Sequence, residues 1–203
     1  MDDYNLDEII HHLSLEQQIR TRLKELHSSK RQHLSQSIAR YIRRTIAKFQ
    51  HSAVNQVQEK HVYWLATKPS VRKSAKWREK FSARFYVDAA QEIFDWTQNK
   101  CIRIRDHGEE HEIPHDAYLK VAQLDGLSFE MDRFDYIAID EAQDMTACQA
   151  NLLWRRNLSP VATETIVYLV GDQWQQLYRF RGASSSFADV AEVASTKKFT
   201  LSG

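Results

Sequence analysis

The sequence predicts an α/β protein in which a mostly helical first half precedes a small parallel sheet. Two apolar runs, residues 134–139 (FDYIAI) and 166–170 (IVYLV), are rich in β-branched and aromatic side chains, and each leads directly or within two residues to an aspartate, Asp140 or Asp172. The stretch from 144 to 156 between them has the length and pattern of a helix. Strand, helix and strand at this spacing predict a βαβ unit of parallel strands with covered faces.

Length and composition narrow the class of protein. The chain has 203 residues, 42% of them hydrophobic, with 5 Trp, 8 Tyr and 9 Phe, which favours a folded domain over a disordered segment. No apolar run approaches the roughly 20 residues that cross a bilayer, so we expect no membrane association. Cys101 and Cys148 stand in unrelated contexts and supply neither a disulfide framework nor a four-ligand zinc site. These features predict an intracellular location.

Two further counts bear on the ligands that the chain can bind. It has five glycines, and none of its segments has the phosphate-loop pattern GxxxxGK followed by Ser or Thr. Residues 1–100 carry 18 Lys or Arg and 11 Asp or Glu, whereas residues 101–203 carry 10 and 16. The basic half is suited to a polyanion such as nucleic acid, although basic residues also simply solvate helix surfaces.

The first half of the chain is predicted to be helical. Leu13, Ile19, Leu23 and Leu26 recur at helical spacing in the first 33 residues, and residues 28–29 (SS) are a plausible break. A second helix follows, with an apolar stripe on one side and cations on the other. Its apolar positions are Leu34, Ile38, Tyr41, Ile42, Ile46 and Phe49, and its basic positions are Arg40, Arg43, Arg44 and Lys48.

Three shorter elements are predicted in the middle of the chain. Residues 87–96 have the pattern of another amphipathic helix. Residues 101–105 (CIRIR) alternate like a short strand, with a turn at residues 106–108. After Pro114, His115–Leu124 suits a helix that buries Tyr118, Leu119 and Val121.

Candidate catalytic residues follow the first predicted strand, at the edge where parallel sheets bind their ligands. Asp140 is suited to hold a hydrated Mg²⁺, which prefers a carboxylate together with waters and phosphate oxygens. Glu141 is suited to orient or deprotonate an attacking water. Acids also commonly end strands and cap the next helix, and the pair alone would favour that structural role.

The segment after the second predicted strand favours a binding role. Residues 171–183 (GDQWQQLYRFRGA) combine amide groups suited to a phosphate with aromatic and arginine side chains suited to nucleobases and backbone. A purely structural loop has little reason to place Gln175, Tyr178, Phe180 and Arg181 together.

These two motifs carry a family resemblance. IDEAQD (139–144) and VGDxxQQxYxFRGA (170–183) resemble the Walker B motif and the third motif of superfamily 1A DNA helicases of the UvrD/Rep/PcrA type, with the eukaryotic F-box DNA helicase group as the most similar. His61, Val62 and Trp64 fall where such proteins have an HVPxW-like segment, and HDAYLK at 115–120 resembles their HDGYLK. The resemblance runs from about residue 34 to the C-terminus. It implies part of a RecA-like P-loop NTPase domain, with a parallel sheet and a mostly helical inserted subdomain.

The resemblance implies ATP and Mg²⁺ as cofactors and a role for each residue of the nucleotide site. Asp140 would hold the Mg²⁺ of MgATP through water, and Glu141 would activate the hydrolytic water. Gln143 would couple the nucleotide state to the rest of the enzyme. Gln175 would sense the γ-phosphate as a second catalytic residue, and Tyr178 would lie near the adenine.

It also implies contacts with DNA. Phe180 would stack on a base of single-stranded DNA, Tyr178 would lie beside it, and Arg181 would link the nucleotide site to the DNA track. The inserted subdomain would supply contacts to phosphates. The candidates are Arg43, Arg44, Lys48, Lys73, Lys76 and Lys80, whereas Tyr63, Trp64 and Trp77 suit the core better than a stacking surface.

The resemblance divides the chain into three parts. Residues 1–33 are an unassigned N-terminal helical segment, residues 34–112 the DNA-facing helical insertion, and residues 113–203 the later half of the first RecA-like domain. The Walker A loop and second motor domain of the family have no counterpart in this sequence, so we expect no efficient ATP hydrolysis by the chain alone. The implied partners are single-stranded and junction DNA and the missing portions of the motor, and the implied location is the nucleus.

Three functions remain open at this point. The first is part of an ATP-dependent helicase that moves 3′ to 5′ along single-stranded DNA, with the polarity taken from the resemblance. The second is a catalytically dead nucleic-acid-binding or regulatory relic of such an enzyme. The third is a protein-interaction module whose basic helices meet an acidic partner.

Overall fold

The structure is a computed structural model, and it describes residues 4–63, 81–108, 112–127, 134–154 and 165–172 together with positions 175, 197 and 199. The chain divides into two compact units. Unit 1 comprises Met1–Gln50 and Val54–Val121, and unit 2 comprises His51–Ala53 and Ala122–Gly203. Within the described part of the chain, no helix is both long enough and apolar enough to cross a bilayer.

Unit 1 is helical. Its α-helices are α1 (Leu6–His12), α2 (Leu15–Arg22), α3 (Ser28–Gln50), α4 (Ala83–His107) and α5 (His115–Leu124, which runs on into unit 2), and Glu59–His61 form a 3₁₀ helix. The predicted apolar stripe of α3 is confirmed, because Ile38, Ile42, Ile46 and Phe49 are fully buried. Phe49 packs edge-to-face on Phe94 of α4 at 5.1 Å between ring centroids, the geometry that aromatic pairs prefer.

The N-terminal helices belong to the same core. Asn5 caps α1 by accepting a hydrogen bond from the backbone N–H of Asp7 at 2.9 Å. Ile9, Leu15 and Ile19 are buried as α1 and α2 pack against α3. The first 22 residues therefore contribute to unit 1 rather than forming a separate element.

The prediction of a strand at residues 101–105 is wrong. Those residues are the last turns of α4, which runs without a break from Ala83 and ends at Gly108, a glycine with φ +66°. Ser82 caps the start of α4 by accepting from the backbone N–H of Phe85. Because helix growth is cooperative, a long capped amphipathic helix extends through a five-residue stretch whose own pattern alternates.

Unit 2 contains the predicted parallel strands. β1 (Tyr136–Ile139) pairs in parallel with β2 (Ile166–Leu169), with Tyr136 opposite Ile166 and Ile139 opposite Leu169. A 3₁₀ helix (Ala142–Asp144) and α6 (Ala147–Trp154) follow β1, where the sequence predicts one helix from 144 to 156. The protein is thus mostly helical, with a small two-stranded parallel sheet.

Burial corrects two further predictions. The faces of the two strands are not both covered, because the alternate residues Tyr136, Ile166 and Tyr168 are exposed. The bounds of α5 are those predicted, but Tyr118 is 44% exposed and Val121 is buried. In both cases the hydrophobic pattern identifies the element correctly, while the burial of individual side chains depends on the segments packed against it.

Candidate functional site

The acid pair lies at the carboxyl end of β1. Asp140 and Glu141 are both exposed, and Asp140 Oδ1 accepts a hydrogen bond from the backbone N–H of Glu141 at 2.9 Å. Glu141 adopts a left-handed backbone conformation, with φ +51°, which turns the chain into the 3₁₀ helix. The backbone N–H of Ala142 then donates to Val170 O at 2.9 Å. This bond fixes the turn after β1 to the end of β2.

One buried amide joins the ends of the two strands. Gln143 Nε2 donates to a carboxylate oxygen of Glu141, and Gln143 Oε1 accepts from the backbone N–H of Asp172 at 3.2 Å. Gln143 is only 3% exposed, so both bonds compensate the desolvation of its amide. The side chain therefore bridges the residue after β1 to the loop after β2.

The bridge continues to Gln175. Its Nε2 donates to Asp172 Oδ2 at 3.1 Å, and its backbone N–H donates to Asp172 O at 3.0 Å. A hydrogen-bonded path thus runs from Glu141 through Gln143 and Asp172 to Gln175. The structure brings together the four described residues that the sequence assigns to the nucleotide site: Asp140, Glu141, Gln143 and Gln175.

The donor set at Asp140 fits a hydrated Mg²⁺. Asp140 is exposed, and only one of its two carboxylate oxygens has a contact among the described residues. Those residues contain no cluster of three or more His, Cys, Asp or Glu that could enclose a metal ion. One carboxylate oxygen, completed by waters and ligand oxygens, is the set that Mg²⁺ commonly takes.

The basic candidates of α3 have a specific arrangement. Arg44 and Lys48 lie over the ring of Tyr63, at 4.5 Å and 5.3 Å from its centroid. Arg43, on the same helix, is half-buried. Six other predicted DNA contacts lie outside the described residues: Lys73, Lys76, Lys80, Tyr178, Phe180 and Arg181.

Positive charge also converges on His61, two residues before Tyr63. Burial, and then the charges of Lys60, Lys120 and Lys48, lowers the pKa of His61 to about 4. Its Nδ1 accepts a hydrogen bond from the backbone N–H of Gln58 at 2.9 Å, so the proton of the neutral imidazole is on Nε2. That Nε2 is buried and has no hydrogen-bond partner among the described residues.

Sequence reasoning missed two residues of these arrangements. Asp172 was recognised only as the acid that follows the second strand, yet it connects Gln143 to Gln175. Tyr63 was assigned to the core, yet it is half-buried and carries two cations. The position of Asp172 at a strand end was the available signal for the first. No signal in the sequence marks Tyr63, because its cations lie 15 and 19 positions away.

Comparisons with known proteins agree with this geometry. The family model described as the UvrD/REP helicase N-terminal domain matches residues 3–192. F-box DNA helicase protein 1 of Schizosaccharomyces pombe is 35% identical over 86 residues, which are 42% of this chain and 9% of that protein. F-box DNA helicase 1 of Gallus gallus is 31% identical over 150 residues, which are 73% of this chain and 13% of that protein. No solved structure matches the chain.

The family match extends beyond the resemblance seen in the sequence, because it includes the N-terminal helices that had no assignment. The chain spans about a tenth of the length of the curated relatives it matches. The match covers most of the 203 residues, and the relatives independently name the same kind of enzyme. The chain therefore belongs to the UvrD/REP helicase N-terminal domain family, a family of helicase enzymes.

Proposed function

We propose that the chain is part of an ATP-dependent DNA helicase that moves 3′ to 5′ along single-stranded DNA and unwinds the duplex ahead of it. The observation that supports this function is the hydrogen-bonded path from Glu141 to Gln175 across the ends of two parallel strands. Residues 113–203 would be the later half of a RecA-like ATP-binding domain, and residues 34–112 its DNA-facing insertion. The enzyme would act on single-stranded and junction DNA, in the nucleus.

Each residue of the path has a role in this proposal. Mg²⁺ bound with ATP supplies charge neutralisation at the transferred phosphate. Asp140 holds the ion through water, and Glu141 orients and deprotonates the attacking water. Gln175 contacts the γ-phosphate. Since Gln143 contacts Glu141 and the backbone of Asp172, a shift of Gln175 on hydrolysis is transmitted to the catalytic carboxylate.

The remaining motif residues act on DNA in the same proposal. Phe180 stacks on a base, an interaction worth about 1–3 kcal/mol that tolerates any sequence. Tyr178 lies near the adenine and the strand, and Arg181 connects the two sites. Lys73, Lys76 and Lys80 contact phosphates together with Arg43, Arg44 and Lys48.

A second candidate function is a catalytically dead, nucleic-acid-binding relic. It is favoured by one observation, namely that these 203 residues contain no phosphate loop of the GxxxxGK type. Both candidates predict that the purified chain binds single-stranded DNA in a salt-sensitive manner with negligible ATP hydrolysis.

The experiment that separates the two uses the intact transcript that contains these codons. Its product is purified and assayed for unwinding of a duplex with a 3′ tail, beside a Glu141→Gln variant. A helicase unwinds the duplex, and the variant loses unwinding while it still binds the strand. Strand binding without turnover by the wild-type product would favour the relic, and unwinding by Glu141→Gln at the wild-type rate would contradict the assigned role of Glu141.

A further inference from the structure

The side chains above the ring of Tyr63 form a compact cationic cluster. Arg44 and Lys48 occupy successive turns of α3, about 6 Å apart along the helix axis, and both lie within 5.3 Å of the same ring centroid. The ring is held in place from below, because Tyr63 stacks with Tyr41 at 6.4 Å and Tyr41 meets the buried Tyr86 edge-on at 6.2 Å. One aromatic anchor therefore orients two long and otherwise mobile cations.

The charge of this cluster is not neutralised within the protein. Arg44 is exposed and Lys48 is half-exposed, and neither forms an ion pair with an acid among the described residues. The nearby 3₁₀ helix carries one acid, Glu59, and it forms no ion pair within that part of the chain either. Two oriented cations without a counter-charge are suited to an anionic ligand.

A second observation points to the same place. His61 is buried among the charges of Lys48, Lys60 and Lys120, which disfavour its protonation. Its Nε2–H is a buried donor without an acceptor among the described residues. The surroundings of Tyr63 thus combine excess positive charge with an unsatisfied donor.

We propose that Arg44 and Lys48, oriented by Tyr63, form a clamp for the phosphodiester backbone of single-stranded DNA. This inference rests on the proposed function, because it names the surface of unit 1 that such an enzyme would use to hold its strand. A guanidinium whose face lies over an aromatic ring keeps its N–H edges available for phosphate oxygens. Orientation by the ring lowers the entropy lost when both cations engage the strand. Tyr63 is a positioning residue in this clamp.

The test is equilibrium binding of a fluorescein-labelled oligothymidylate of about 16 nucleotides to the 203-residue chain, measured by anisotropy over a series of salt concentrations. For single strands, each neutralised phosphate contributes about 0.7 to the slope of log K against log salt. The double variant Arg44→Ala/Lys48→Ala should therefore reduce the slope by about 1.4. Lys30→Ala removes an exposed cation from α3 about 20 Å from Arg44 and should leave the slope unchanged.

Variants of Tyr63 separate positioning from charge. Tyr63→Leu keeps both cations and should weaken binding about 3- to 10-fold with little change in slope. Tyr63→Phe keeps the ring and should bind as the wild type does. The helical circular dichroism of every variant is measured first, so that a loss of folding is recognised and not counted as a loss of the clamp.

Several outcomes would overturn the clamp. An unchanged slope in the double variant, an equal effect of Lys30→Ala, or failure of Tyr63→Phe to restore binding would each contradict it. Binding of polyglutamate in place of oligothymidylate would assign the surface to an acidic protein instead. Because the assay contains no nucleotide, a working clamp in an intact product that cannot unwind DNA would overturn the proposed function alone. Unimpaired unwinding by the double variant would overturn the clamp alone.

Discussion

Acidification should destabilise unit 1 through one buried side chain, His61. This residue is 4% exposed, and its Nδ1 must remain unprotonated to accept the hydrogen bond from the backbone N–H of Gln58. Protonation would place a positive charge in a buried position beside Lys48, Lys60 and Lys120. We therefore expect the folded protein to resist protonation that the unfolded chain accepts.

The size of the effect follows from the two pKa values. Burial first, and then the neighbouring lysines, lowers the pKa of His61 from 6.5 to about 4. Between these values the unfolded chain binds more protons, so the contribution of His61 to stability is full above pH 6.5 and declines as the pH falls. At about 1.4 kcal/mol per pH unit, the loss is about 2 kcal/mol at pH 5 and levels off near about 3 kcal/mol below pH 4.

Urea unfolding at pH 7.5 and pH 5, followed by helical circular dichroism, measures this loss. The comparison is with His61→Asn, whose side-chain oxygen can accept from Gln58 without titrating. Other titrating groups are common to both proteins, so the free energy of unfolding should fall by about 2 kcal/mol more in the wild type. His33→Asn, which removes an exposed imidazole from α3, is the matched control. Equal losses in the wild type and His61→Asn would refute the reasoning.

Three further substitutions probe the fold and the bridge between the strands. Phe49→Ala should lower the free energy of unfolding by about 3–5 kcal/mol in urea, because it empties a fully buried position. Phe199→Ala, at an 87% exposed position, should change it by less than about 0.5 kcal/mol. Gly108→Ala should cost about 1 kcal/mol from its left-handed backbone, although no atom lies within 4 Å of the added Cβ. Gln143→Leu should leave the fold intact but speed hydrogen exchange at the amide of Asp172, which loses its acceptor; unchanged exchange would contradict the bridge.

Local patterns predicted the elements whose neighbours lie close in the sequence. The stripe of α3, the bounds of α5 and the parallel pairing of β1 with β2 follow from periodicity and from the rule that βαβ connections make parallel strands. The acid pair and Gln175 were expected to meet, because the carboxyl ends of parallel strands share one edge of a sheet. Their connection through hydrogen bonds is now described, while their catalytic roles remain predictions.

The failures are features that depend on distant contacts. The alternation of residues 101–105 predicted a strand because it ignored the helix that already extended from Ala83. The exposed Tyr136 and Tyr168 could not be foreseen, because burial of a strand face depends on what else packs there. Tyr63 gained its cations from α3 across the intervening chain, a pairing that no local pattern encodes.

Two unfavourable features coincide at the end of β1, and both act on the same carboxylate. Glu141 is not a glycine yet holds φ +51°, a conformation that costs about 1 kcal/mol for a residue with a side chain. Gln143 is a buried amide, which is tolerated because it bonds Glu141 on one side and the backbone of Asp172 on the other. Glycine at position 141 and an apolar residue at position 143 would each serve the turn at lower cost. The strain and the buried amide are explained together if the position of the Glu141 carboxylate matters, since one sets its backbone and the other its side chain.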